Sequence, residues 1–223
     1  MSIASAAAPL LPGQRLSRAE FLRRWEALPD LKKAELIDGL VYMASPVTAT
    51  HGSHDLTLHT WLGTYAAATP GCTAGCNRTW LMLESAPQPD ADLCVLPQFG
   101  GQSGFSGDYC VGAPELAVEV SNSSSGYDSG PKLALYQRAG VKEYLTLVLD
   151  PPRVVWRQRT AERFVPLQPD ADGLLRSRVF PGLWLDPQAL LANDGASILR
   201  VLQQGLQSAE HAAFVLDLER KAT

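Results

Sequence analysis

Positive charge is scarce in this chain. Lys and Arg number 19 against 23 Asp and Glu in 223 residues, giving a formal net charge of −4 and a pI near 5.6. That balance excludes a protein that holds nucleic acid mainly through a basic surface, although a bound metal would change the sign locally. Long apolar runs are missing as well, with none approaching the roughly 18 uninterrupted residues of a membrane-crossing helix. The opening MSIASAAAPLLPGQR has no basic stretch ahead of its short alanine run, so residues 1–15 are expected to form a flexible leader on a cytoplasmic protein. Cys72, Cys76, Cys94 and Cys110 include no C-x-x-C pair, and none of the four histidines stands at zinc-ligand spacing from them. Reduced thiols are therefore expected. Charged residues amount to only 19%, but 46% hydrophobic residues and a mean hydropathy of −0.04 exclude global disorder and allow one sizeable core.

Helix and strand signals alternate along the chain. Ser17 and Glu20 form a capping box ahead of Phe21, Leu22 and Trp25, predicting a helix over 16–28 that Pro29 ends. Asp38-Gly39 between the apolar segments 35–37 and 40–43 predicts a hairpin, because this dipeptide tolerates the positive φ of a type I′ turn. Leu58, Trp61, Leu62 and Tyr65 recur at helical spacing over 48–68, before Pro70-Gly71. Strands are expected over 78–83, 92–96 and 115–120, a helix over 132–139 closed by Gly140, and a buried strand over 141–149. The glycine-rich segment 99–112 lacks the setting of a dinucleotide fingerprint and is expected to be a mobile flap; a second polar loop spans 121–130. Segments 154–156, 164–167 and 174–179 predict a closing antiparallel ribbon. Helices over 188–191, 198–206 and 210–220 follow, with leucines and Phe214 that must pack on the domain or on a second subunit. The expected class is α/β: a mixed central sheet flanked by helices, with antiparallel hairpins and a helical C-terminal tail. The expected division is a leader over 1–15, a domain over 16–186 and a helical extension over 187–223.

One constellation stands out chemically: Gln88-Pro89-Asp90 before a strand, Val118-Glu119-Val120 within the next, and Lys132 at the head of the following helix. An aspartate after proline is ordinarily a turn or cap residue. Strand parity puts Leu116, Val118 and Val120 on one face and Ala117, Glu119 and Ser121 on the other. A carboxylate within so apolar a strand must be exposed, paired or bound to a cation. Lys132 opposes the positive end of its helix dipole, a penalty that a neighbouring carboxylate removes, though a surface lysine with its stem on apolar neighbours fits the same position. Two carboxylates at the ends of adjacent strands with a lysine nearby make a site for a hard cation, Mg²⁺ or Mn²⁺. Such a site activates water for attack on a phosphoryl group. Packing or surface roles suit His54 and His59, while His51 at the helix entrance stays open.

The order AELIDGLVYMASP, HGSH, QPDADLCVL, APELAVEVSNSSSGYD and KLALYQRAGVKEYLTLVLDP resembles the Uma2 family of restriction-like endonucleases, within the PD-(D/E)XK nuclease superfamily, over about residues 16–185. The resemblance implies a restriction-endonuclease-like core with a divalent-metal site. It implies Asp90 as the acid of the PD element, Glu119 as the second carboxylate and Glu35 as an acid contributed from the amino-terminal region. Asp90, Glu119 and the adjoining Val120 form the implied metal set. The superfamily lysine, two residues after the second acid, is here Ser121, and Lys132 is the matching residue displaced to the helix. Asp92 shares the face of Asp90 and is its rival for the metal.

The leading expectation is a Mg²⁺-dependent endonuclease acting on DNA, with Mn²⁺ as an alternative ion and a homodimer as the arrangement suited to cutting both strands. A nuclease-fold module that binds nucleic acid or a protein without cutting, and a hydrolase of another phosphate ester, are the competing expectations.

Overall fold

The structure, a computed structural model, describes residues 8–43, 46–122, 130–161 and 163–222. Its first half comprises α1 (Arg18–Glu26), β1 (Ala34–Ile37), β2 (Leu40–Met43), α2 (Ala49–Ala67), β3 (Cys72–Cys76), β4 (Trp80–Leu81), β5 (Ala91–Val95), β6 (Gly104–Ser106) and β7 (Tyr109–Val111). There follow β8 (Leu116–Ser121), α3 (Pro131–Ala139), β9 (Glu143–Leu149), β10 (Pro152–Arg159), β11 (Phe164–Pro166), β12 (Leu175–Arg176), β13 (Trp184–Leu185), α4 (Pro187–Leu191), α5 (Gly195–Leu206) and α6 (Ala209–Lys221).

The central sheet has six strands in the order β11-β10-β9-β8-β5-β3. β8 and β9 pair in parallel and every other adjacent pair is antiparallel. The parallel pair requires a crossover, which α3 supplies, ending at Gly140 with φ +94°. Leu116, Val118 and Val120 join Leu58, Trp61 and Leu62 of α2, together with Leu145, Leu147 and Trp156, in the main core. Ala117 faces the opposite way, into a second cluster with Leu135 and Tyr136 of α3. The strand parity expected from sequence is thus realised, and it turns Glu119 toward α3. Ile198, Leu202 and Leu218 lie in the main core with Phe214 packed against it, so α5 and α6 cover the same layer as α2.

The hairpin at Asp38-Gly39 forms as its turn chemistry predicts: both residues take positive φ, +50° and +76°, and Ile37 pairs with Leu40. α1 packs on this hairpin, where Phe21, Leu36 and Val41 make a third apolar cluster. Within the stretch expected as leader, Leu10 is buried, and the Gly13 amide donates to the Val41 carbonyl at 2.8 Å.

Some elements differ from expectation. The strand expected over 78–83 shrinks to β4 and leaves the central sheet, because Asn77 and Leu83 at its ends adopt positive φ; β4 pairs instead with β7. The glycine-rich segment folds into the β6–β7 hairpin that completes this small sheet. β3 has no apolar alternation and arises only from pairing along β5. Segments 154–156 and 164–167 extend the central sheet, while β12 pairs with β13. Most of the polar loop over 121–130 lies outside the described residues.

Gly75 of β3 sits opposite Asp92, and the Arg78 side chain crosses it to bind that buried carboxylate. A Cβ at Gly75 would stand 1.8 Å from Arg78 Nε. Gly75→Ala should therefore displace Arg78, leave Asp92 with only the Trp80 indole N–H, and cost about 2–3 kcal/mol. Urea unfolding at neutral pH checks this; an unchanged midpoint would show that Arg78 does not need the glycine.

Candidate active site

Four segments converge on the α3 side of the sheet. β1 brings Glu35, the turn before β5 brings Asp90, β8 brings Glu119 and the first turn of α3 brings Lys132, all at 7% exposure or less. Lys132 Nζ donates to both oxygens of Glu119 at 2.8 Å and lies 2.9 Å from Glu35 Oε1. The Tyr136 hydroxyl, one helical turn on, donates to Glu119 Oε1 at 2.8 Å. Burial, with Glu119 beside it, pushes the Tyr136 phenol well above its ordinary value, so it remains a donor. Gln88 donates its backbone N–H to Glu35, tying the PD segment to the β1 hairpin. The helical lysine is thus a buried ion-pair member, not a surface residue.

Asp90 is held separately. Its Oδ1 accepts from Lys33 Nζ at 2.7 Å and its Oδ2 from the Val120 amide at 2.8 Å, which fixes it to the strand carrying Glu119. Burial by itself would raise the Asp90 carboxyl, but the Lys33 and Lys132 charges and these two hydrogen bonds hold it below its ordinary 3.8. Burial and the Lys132 charge would lower Lys33, but the Asp90, Glu119 and Glu35 carboxylates raise it above its ordinary value. Its rival Asp92 is committed elsewhere, to Arg78 and to the Trp80 indole N–H at 3.1 Å.

The entrance of α2 lies against this group. Among the described residues, His51, Asp55 and Asp90 each offer a ligating atom, all within 4.8 Å of one another. His51 Nε2 is 3.4 Å from Asp55 Oδ2, and this contact raises the imidazole above its ordinary 6.5 against the effect of burial. His59 Nε2 meets the Asp90 carbonyl at 2.9 Å, whereas His54 Nδ1 turns back to the Thr50 carbonyl. Lys33 and Asp55 escaped the sequence reading. A Lys-Lys dipeptide is ordinarily solvated, and the i,i+4 spacing of His51 and Asp55 was the signal available for the latter.

Around Asp90, among the described residues, three carboxylates (Glu35, Asp90 and Glu119) face two lysines while Asp55 faces His51, so the carboxylates outnumber the ammonium groups. Asp90 retains acceptor capacity beyond its two recorded bonds, since a carboxylate offers about four lone-pair sites. These residues fit a divalent cation.

A depressed carboxyl stabilises the folded state above its ordinary value and ceases to do so as pH falls through the folded one. Wild type should accordingly be more stable than Asp90→Asn at pH 7, with the gap closing as pH falls below 3.8. Urea midpoints across that range measure it; a constant gap would contradict the assigned pairing.

The sequence profile of the family described as "Uma2: Putative restriction endonuclease" matches residues 18–188. A solved structure described as "a putative nuclease belonging to DUF820", from Anabaena variabilis ATCC 29413, superposes with a TM-score of 0.61 at 14% identity, over 80% of this chain and 98% of that one. No curated protein matches the chain. At such identity the structural likeness establishes the shared mixed α/β fold alone. The profile match, however, spans well over half the sequence and takes in Glu35, Asp90, Glu119 and Lys132, so the chain belongs to the Uma2 family.

Proposed function

We propose that this protein is a Mg²⁺-dependent endonuclease that hydrolyses phosphodiester bonds of DNA, with Mn²⁺ able to replace Mg²⁺. The observation that carries the reading is the buried convergence of Asp90, Glu119, Glu35 and Lys132 with negative charge in excess. Asp90, Glu119 and Val120 would hold the ion. When bound, it polarises a phosphoryl oxygen and acidifies a water. Lys132, protonated, holds Glu119 and Glu35 with its three N–H donors, and would turn one of them from Glu119 to the attacking water once Glu119 ligates the ion, as a lysine displaced from the strand position now held by Ser121. Glu35 holds Lys132 from the far side and supports the ion's water shell. Tyr136 fixes one oxygen of Glu119 and so limits its rotation. Two copies related by a two-fold axis would serve the two strands of a duplex. The four unpaired thiols fit the cytoplasmic setting expected from sequence.

Supercoiled plasmid DNA with Mg²⁺ provides the test. Asp90→Ala and Glu119→Ala should each lower nicking by about 100-fold or more and abolish the rise in melting temperature that Mg²⁺ produces in wild type. Lys132→Ala should also stop nicking but keep stabilisation by Mg²⁺, which then offsets two carboxylates left without their ammonium. Full nicking by Asp90→Ala or Glu119→Ala would overturn the site. Wild-type protein that never nicks DNA with either ion would instead be a nuclease-fold module that binds nucleic acid or a protein, a reading that Ser121 in place of the in-strand lysine favours.

A further inference from the structure

We propose a second cation position on the α2 side of Asp90, formed by His51, Asp55 and Asp90 and selective for a first-row transition-metal dication such as Mn²⁺. It shares Asp90 with the Asp90–Glu119 site but needs neither Glu119 nor Lys132, so it stands or falls independently of nuclease activity. His51 and Asp55 are one helical turn apart, and α2 presents both toward the strand segment that carries Asp90; their ligating atoms lie within 4.8 Å of one another. Ligands at about 2.1 Å from one ion are at most about 4.2 Å apart, so small side-chain rotations close the set. Their state points to a missing ligand. His51 Nδ1 and Asp55 Oδ1 are both buried atoms without a hydrogen-bond partner among the described residues, a costly condition that coordination would relieve. The two side chains are only 13% and 18% exposed, so water reaches them poorly. Lys33 Nζ donates to Asp90 Oδ1, and Asp90 keeps lone pairs for the ion. The donor chemistry sets the selectivity. Mg²⁺ takes oxygen ligands in near-ideal octahedra, whereas one imidazole with two carboxylates suits Mn²⁺, Co²⁺ or Zn²⁺.

Pulsed electron paramagnetic resonance on the full chain loaded with Mn²⁺ reads this directly, because a coordinated imidazole nitrogen modulates the echo. Wild type should show that nitrogen coupling, and His51→Ala should lose it. Mn²⁺ affinity, followed by the loss of the free-ion signal, should fall at least about 10-fold in His51→Ala and in the nearly isosteric Asp55→Asn, which carries the test if the first variant does not fold. Mg²⁺ affinity should change less than about 3-fold in either. Glu119→Gln should retain the nitrogen coupling even where nicking is lost, which separates failure of the endonuclease reading from failure of this one. Absent coupling in wild type, coupling that persists in His51→Ala, or unchanged Mn²⁺ affinity in both variants would overturn the proposal.

Discussion

The ammonium of Lys132, 2% exposed and held between Glu119 and Glu35, is the contact on which the arrangement of the site depends. It joins three elements that are far apart in sequence: the amino-terminal hairpin through Glu35, the central strand β8 through Glu119 and the crossover helix α3 that carries it. Removing charges from water costs several kcal/mol per ion, and a buried pair repays this only with good geometry and further hydrogen bonds. Those are present here, from the Tyr136 hydroxyl to Glu119 and from the Gln88 amide to Glu35. The consequence is positional. α3 cannot slide along the sheet, and the hairpin cannot lift from it, without stranding a charge in an apolar layer.

Asp90 follows a different logic within the same cluster. It is tied to β8 by the Val120 amide and to solvent-side charge by Lys33, so its position relative to Glu119 is set by backbone rather than by a shared side chain. Lys33 and Lys132 hold three carboxylates close together, Asp90, Glu35 and Glu119, without matching their number, and His51 faces Asp55 beside them. That imbalance separates this cluster from Asp92 and Glu143. Asp92 is matched by Arg78, and Glu143 is ringed by the Ser177 hydroxyl, the Trp156 indole and backbone amides. Burial is common to all of them, but Asp92 has its own cation and burial pushes the lone Glu143 carboxyl up to about 7, whereas the group around Asp90 gathers three carboxylates on two lysines.

Features written in local chemistry were legible in the sequence. The Asp38-Gly39 turn and the parity of β8 depend on a few neighbouring residues and appear as expected, and Ser17 caps α1 as expected, although the Glu20 carboxylate pairs with Arg23 and Arg24 instead of closing the box. Parity also exposed Glu119 as an anomaly, since the cost of a carboxylate in an apolar strand is visible without knowing its partner. Features that depend on distant pairing were not legible. β3 is a strand because β5 lies beside it, not because Cys-Thr-Ala-Gly-Cys favours one. Lys33 resembles any solvated lysine until the fold places it on Asp90, and the His51–Asp55 pair acquires meaning only where α2 meets that aspartate.

On the proposed function, the carboxylates gathered around Asp90 hold a divalent cation. Anomalous diffraction from crystals of the protein soaked in Mn²⁺ tests it most directly. A strong peak is expected about 2.0–2.3 Å from an Asp90 carboxylate oxygen, lost in crystals of Asp90→Asn. Peaks confined to the outer surface, or no peak beside Asp90 at saturating Mn²⁺, would contradict it.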